Sequence, residues 1–208
     1  MELYSAPLSC SLAAHAALIE AGLDATCHYV ELASKKTLDG ADYLAVAPKG
    51  QVPALRLDDG EVLTEGPAVL QWIADRAPAS GLAPAAGTMA RYRLQEWLNY
   101  LSTELHKQVF AAIFNPAQPP EAKAFARQLA PTKLGYVAEK LGDRTGLLGD
   151  GFTVADAYLT TILSWCGPAG ISLDAFPNLA AYRDRNFARP AMAKAFGEEM
   201  EARRRIDG

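Results

Sequence analysis

The sequence predicts a two-part fold of class α/β plus all-α, and three observations carry that prediction. Over residues 1 to about 80, strand-like and helix-like segments follow one another in the order βαβ then ββα, which makes a mixed four-stranded sheet. Residues 77–87, APASGLAPAAG, form a run of Pro, Gly and Ala without apolar periodicity, the signature of a linker. Beyond it, apolar residues recur only at helical spacing, which predicts a helical bundle. The expected organisation is therefore one domain over residues 1–80, a linker over 81–87 and an all-helical domain over 88–208.

In the first part, Glu2 to Ser5 reads as a strand, and Ser11 to Ala21 as a helix that stops at Gly22. His28 to Leu32 is a second strand, and a short helical segment surrounds Asp42 to Leu44. Residues 49–75 are the densest stretch. Val52-Pro53 ends a loop; residues 54–57 and 61–64 alternate as two strands around Asp59-Gly60, a strong hairpin signal in which Asp58 and Asp59 serve the turn. Gly66 and Pro67 then supply the cap and first position of a helix running to Ala77. Such a start offers unpaired N–H groups and a partial positive charge to a carboxylate. A strand edge beside Pro53 can pair with a short peptide. The stretch suits a ligand that is peptide-like and acidic.

In the second part, Ala90 to Phe114 is a long amphipathic helix; stepping ~100° per residue puts Leu94, Leu98, Leu101, Leu105 and Ala112 on the core side. Residues 120–141 continue as a helix ending at Gly142, with a kink or break expected at Pro131. Thr153 with Asp156 resembles a capping box, opening a helix that ends at Cys166-Gly167-Pro168. Residues 177–187 and 190–200 complete the bundle, each with proline at its start.

Composition narrows the function. A net charge of −4 argues against general nucleic-acid binding, which needs a surplus of Lys and Arg. No run approaches the ~18 apolar residues of a membrane span, and Met1 to Tyr4 enters a strand without the regions of a signal peptide. The expectation is a soluble, cytoplasmic protein with neither nucleic acid nor membrane as partner. Cys10, Cys27 and Cys166 lack CxxC or Cys/His ligand spacing, so no metal site is expected and reduced thiols fit best. P-loop, GxGxxG, HExxH and GxSxG motifs are absent.

Two groups of residues can do chemistry. Cys10 lies between the first strand and the helix from Ser11, where a helix N-terminus stabilises a thiolate; equally, a free cysteine can be a small buried hydrophobe. Cys27, in a strand, and Cys166, closing a helix, read as structural. Asn99, Thr103, His106 and Lys107 follow an i, i+4, i+7, i+8 pattern that suits a polar anionic ligand, although a solvated helix face has the same composition.

Cys10 after a first strand, the turn KGQVPAL, the helix start LTEGPAVLQWIAD, WLNYLSTELHK over residues 97–107 and FTVADAYL over residues 152–159 together resemble a glutathione transferase of the bacterial beta class, along nearly the whole chain. The resemblance implies a thioredoxin-like N-terminal domain, a helical C-terminal domain, a homodimer, and glutathione as co-substrate with no metal or other cofactor. It places Cys10 next to the glutathione sulfur and pairs the Val52 backbone, before a cis Pro53, with the cysteinyl part. It assigns the γ-glutamyl amine and carboxylate to Glu65 and Gly66, and the glycyl carboxylate to Lys35. Asn99, Thr103, His106 and Lys107 close the site, with Glu104 reaching the site of a partner subunit. Cys10 and His106 are the catalytic candidates.

Gly66 departs from the serine of many relatives in the wider superfamily; Tyr4, Ser5, Ser9 and Ser11 remain lesser candidates for a catalytic hydroxyl. A hydrophobic electrophile is the implied acceptor, with Phe110, Phe114 and Trp165 as candidate lining. Two rival readings stand beside the transferase: a monothiol glutaredoxin-like thioltransferase, and a non-catalytic protein that binds glutathione or an apolar ligand.

Overall fold

Five strands, β1 (Glu2–Ser5), β2 (Thr26–Glu31), β3 (Lys36–Thr37), β4 (Ala54–Arg56) and β5 (Val62–Thr64), form one mixed sheet in the order β3-β2-β1-β4-β5. This computed structural model describes residues 1–207. β1 pairs parallel with β2, Leu3 opposite Cys27, and antiparallel with β4, Leu3 opposite Leu55. The expected sheet had four strands. The fifth, β3, is two residues long and pairs antiparallel with the end of β2, too short to show any alternation in sequence.

The helices are α1 (Ser11–Glu20), α2 (Gly66–Arg76), α3 (Met89–Tyr100), α4 (Ala112–Phe114), α5 (Pro120–Leu141), α6 (Val154–Ser164), α7 (Pro177–Phe187) and α8 (Pro190–Asp207). They divide into two units: Met1–Ala83 together with the residues from Ala188 onward, and Pro84–Phe187. The sequence-based boundary put everything after residue 87 with the helical domain. By packing, α8 groups with residues 1–83, where it lies on α1.

Within the first unit, α1 is the crossover that a parallel β1–β2 pair requires. Residues 11–18 of α1 are all buried, because α1 also packs on α8 and α2. Ala13, Ala14, Ala16 and Ala17 keep that crowded helix thin enough for close approach. A polar link accompanies the packing: the carboxylate of Glu199 on α8 is fully buried and is met by Ser5 Oγ at 2.9 Å and the Leu8 N–H at 2.6 Å. His15 of α1 lies with Nδ1 3.3 Å from Glu199 and Nε2 3.0 Å from Glu198.

Within the second unit, α3 runs without a break into a π-type segment, Leu101–Ala111, and then α4. The predicted core positions Leu94, Leu98, Leu101 and Leu105 are buried, but Ala112 is half-exposed and Val109 and Phe110 are buried in its place. The i→i+5 closure of a π turn explains the burial of Phe110: Val109, four residues beyond Leu105, faces inward in either helix, but a ~100° step turns the fifth residue away, and only the wider turn brings it in. Pro131 lies inside α5, which continues to Leu141 where a kink or break was expected. The capping box of α6 forms as read, with the Thr153 N–H donating to Asp156 Oδ2 at 2.8 Å; the buried carboxylate also accepts from the Leu147 N–H and the Tyr182 hydroxyl.

Candidate functional site

In the first unit the candidate residues gather around three loops. Cys10 is the N-cap of α1 and is half-buried; its Sγ donates to the Val52 carbonyl at 3.2 Å. No acidic side chain stands in the first turn of α1, so nothing there offsets the positive end of its dipole. Behind Cys10, the Ser11 hydroxyl is a hub: Ser5 Oγ and Ser9 Oγ lie 2.8 Å from it and the Ala6 N–H 3.0 Å. Because a carboxylate can only accept, the Ser5 hydroxyl hydrogen goes to Glu199. The serines thus hold the loop that carries Cys10, joined at its other side by the Leu8 N–H, where the backbone has a positive φ of 62°.

The Val52-Pro53 bond is cis. The loop before it is braced twice: Lys35 Nζ donates to the Gly50 carbonyl at 2.8 Å, and the buried Tyr43 hydroxyl donates to the Gln51 carbonyl at 2.6 Å. Gly50 has a φ of +61°, and a Cβ built there would crowd Lys35 and Leu44, so this position needs glycine on both counts. Lys35 itself takes a φ of 58° at the turn after β2. At the start of α2, Glu65 holds a φ of 69° and ψ of 114°, and its exposed carboxylate accepts from Lys49 Nζ at 2.8 Å. Gly66 has no such backbone demand; a Cβ there would meet only Pro53 at 3.8 Å, ordinary contact, so the backbone leaves room for a side chain.

In the second unit the four residues of the predicted polar strip do not stay together. Thr103 donates to the Asn99 carbonyl at 3.0 Å, and both side chains are exposed. Lys107 is exposed as well. His106 turns instead to α6, with Nδ1 2.7 Å from the Tyr158 hydroxyl and its ring 5.1 Å from that of Trp165. Burial, assisted by the adjacent Lys107 charge, pushes the imidazole down to about 4, so His106 is neutral near pH 7 and offers a directed N–H, not a charge. The same π-type widening that moves the core face separates His106 from its expected neighbours. Glu104 is engaged within the chain by Lys133 of α5 and by Gln108 Nε2 at 3.2 Å.

Phe110 and Phe114 stack, and Trp165 meets both edge-on and packs in turn on His106. Phe110 is fully buried and serves the core, while Phe114 is 45% exposed. Burial lifts the thiols of Cys27 and Cys166 to about 12, leaving both protonated and inert. Tyr4 donates to Glu2 at 3.1 Å and belongs to the sheet face. Among the described residues no group of three or more His, Cys, Asp or Glu can hold a metal ion, and no helix is long and apolar enough to cross a membrane.

Sequence reasoning missed Tyr43, Lys49, Tyr158 and Glu199, and set His15 aside as a residue inside the first helix. Lys49 and Tyr158 lie inside the quoted motifs, so proximity in sequence pointed near them. Nothing in the sequence links Glu199 to Ser5, 194 residues away.

Residues 9–76 match the model of the glutathione S-transferase N-terminal domain, and residues 102–190 that of the C-terminal domain. The chain is 44% identical over 199 residues to glutathione S-transferase GstA of Escherichia coli O157:H7, covering 96% of this chain and 98% of that one. It resembles the solved structure of a sphingomonad glutathione S-transferase complexed with glutathione, with a TM-score of 0.91 and 46% identity over 96% and 98% of the two chains. A bacterial beta-class glutathione S-transferase of Sphingomonas chungbukensis gives a TM-score of 0.92 and 44% identity, again over 96% and 98%. These relatives favour neither rival reading. With both domain models matched in order along a thioredoxin-like sheet and a helical unit, the chain belongs to the glutathione S-transferase family, among its bacterial beta-class members.

Proposed function

We propose that this transferase binds reduced glutathione, keeps its sulfur ionised, and directs the thiolate at an electrophilic carbon of a hydrophobic co-substrate. The thiol proton passes to solvent, the sulfur forms a bond to carbon, and the leaving group departs with its electron pair. The observation that carries the reading is the Cys10 thiol at the N-cap of α1, 3.2 Å from the carbonyl before a cis proline. That arrangement sets a sulfur beside a helix dipole and a strand edge able to pair with a peptide.

The roles follow the resemblance. Cys10 lies beside the glutathione sulfur, and Val52 with Pro53 presents backbone to the cysteinyl part. Glu65 takes the γ-glutamyl ammonium and the Gly66 N–H its carboxylate, while Lys35 faces the glycyl carboxylate. Asn99, Thr103, Lys107 and His106 contribute from the helical domain, His106 as a neutral N–H donor to the developing thiolate. Glu104 acts within the fold through Lys133 and, in a homodimer, toward a partner subunit. Glutathione is consumed as co-substrate, and the steps as written call for no further cofactor. The setting is the cytoplasm.

Cys10 adds a second reaction. Its thiolate attacks the glutathione sulfur of a disulfide between glutathione and another thiol, forming a Cys10–glutathione disulfide and releasing that other thiolate; a second glutathione then resolves it, freeing Cys10 and leaving oxidised glutathione. A steady-state assay with an aryl halide and glutathione, run beside a disulfide-reduction assay, tests both. Turnover of the halide is expected. Retention on immobilised glutathione without turnover of any electrophile would show a binding protein instead.

A further inference from the structure

The Tyr158 hydroxyl lies 2.7 Å from His106 Nδ1, and both groups sit in the helical unit, Tyr158 on α6 and His106 on the π-type segment. Tyr158 is 3% exposed. Its ring meets that of His106 edge-on at 90°, with centroids 6.1 Å apart. Trp165 packs on another side of the imidazole. The ring is therefore held by a hydrogen bond at one nitrogen and by two aromatic walls, a more ordered setting than binding an anion by charge alone demands.

A neutral imidazole has one nitrogen that donates and one that accepts, and the partner of one fixes the other. A phenol is a good donor and a poor acceptor, whereas an unprotonated imidazole nitrogen is a good acceptor. We propose that Tyr158 is a positioning residue for the transfer reaction: its hydroxyl donates to His106 Nδ1, which places the single imidazole hydrogen on Nε2 and aims it as a donor. The inference rests on the reading that His106 serves the glutathione sulfur, and it adds which nitrogen does so and what sets it.

The depressed proton affinity of His106 agrees with this arrangement. Burial and the neighbouring Lys107 keep the ring neutral near pH 7, so that a tautomer, and not a protonation state, is what a partner must select. What His106 then contributes is a directed hydrogen and not a charge.

The test uses the folded full chain. Nitrogen-15 NMR of the histidine rings, assigned by the resonance lost in His106→Ala, should show an unprotonated Nδ1 and a protonated Nε2 at pH 7. In Tyr158→Phe, which keeps the buried ring, both signals should move toward the averaged values of two exchanging tautomers. Conjugation kcat should fall roughly three- to tenfold, the scale of one neutral hydrogen bond, with little change in KM for glutathione. In the His106→Ala background, Tyr158→Phe should have no further effect, which general damage to α6 would not produce. A protonated Nδ1 in the wild type, or a Tyr158→Phe variant with wild-type tautomer and turnover, overturns the proposal. If His106→Ala conjugates at the wild-type rate, the reading of the site fails and the proposal with it, whatever the tautomer.

Discussion

Lys49 Nζ lies 2.8 Å from Glu65 Oε1 and 3.0 Å from Thr64 Oγ1, so the carboxylate proposed for the γ-glutamyl ammonium is already steadied by a cation of its own chain. The pair is exposed, 57% at Lys49 and 68% at Glu65, and contributes little to stability by itself. Its consequence is geometric. An exposed glutamate with three free torsions is a poor receptor until something narrows its conformers, and a lysine bridging two consecutive residues does so.

Glu65→Ala should therefore weaken glutathione binding about tenfold, the loss of one charge-assisted hydrogen bond at a solvated site. A fully desolvated pair would cost more. Titration calorimetry at low and high salt should find the wild-type affinity falling with salt and the variant less sensitive. An unchanged dissociation constant in a folded variant would remove Glu65 from the site.

Cys10→Ala separates two chemistries. The mixed disulfide and the disulfide-reducing activity should vanish, because Ser9, Ser11, Leu12 and Ala13 around it carry no sulfur. Conjugation should persist in part, since its nucleophile is the sulfur of glutathione. Measuring both rates and glutathione binding on one preparation decides it; equal loss of both reactions with binding intact would mean that Cys10 serves both.

His106 makes a prediction about acid. Its folded-state proton affinity is lowered to about 4 from an ordinary 6.5, so between those values the unfolded chain binds a proton that the folded one refuses. Its contribution is complete above pH 6.5 and is lost as the pH falls toward 4, by at most ~3 kcal/mol and less where the ring edge is solvated. Urea unfolding at pH 7, 6, 5 and 4 should show the wild type losing more stability on acidification than His106→Gln. Parallel curves would mean that the ring charges freely in the native state.

Glu199→Ala should destabilise the protein by about 2–4 kcal/mol, because it removes the buried acceptor of Ser5 Oγ and the Leu8 N–H and the buried carboxylate beside His15. Glu199→Gln, which keeps one acceptor, should cost less. Chemical denaturation measures both, and a loss under 0.5 kcal/mol in the alanine variant would show that water replaces the carboxylate.

Light scattering at micromolar concentration should give about twice the 22.3 kDa chain mass. A monomer would remove the proposed role of Glu104 toward a partner and leave only its bond to Lys133.

Much of this fold was written in short-range chemistry. Gly22, the Asp59-Gly60 turn, Gly66-Pro67, Thr153 with Asp156, and the prolines at 177 and 190 each act within a few residues, and the elements begin or end beside them. What the sequence could not show is whatever depends on a partner far along the chain. Residues 198–201 read EEME, the composition of a solvated helix face, yet Glu199 is buried because Ser5, Leu8 and His15 surround it. The π-type widening at Leu101–Ala111 was hidden for another reason: up to Val109 its apolar spacing also satisfies an α-helix, and only burial at Phe110 separates the two. For the candidate site, motifs supplied the residues, while the neutrality of His106 and the hold of Lys49 on Glu65 needed coordinates.

The bond between Ser5 and Glu199 also sets an order of events during synthesis. At about 5–20 residues per second, residue 199 leaves the ribosome roughly 10–40 s after residue 5. For that interval the Ser5 hydroxyl, the Leu8 amide and the face of α1 that α8 covers must wait for partners not yet made. The helical unit packs within residues 84–187, all of which are made before residue 199. The loop that presents Cys10 is thus translated well before the segment that secures it, and a nascent chain carries that thiol on an unfinished support until α8 has followed.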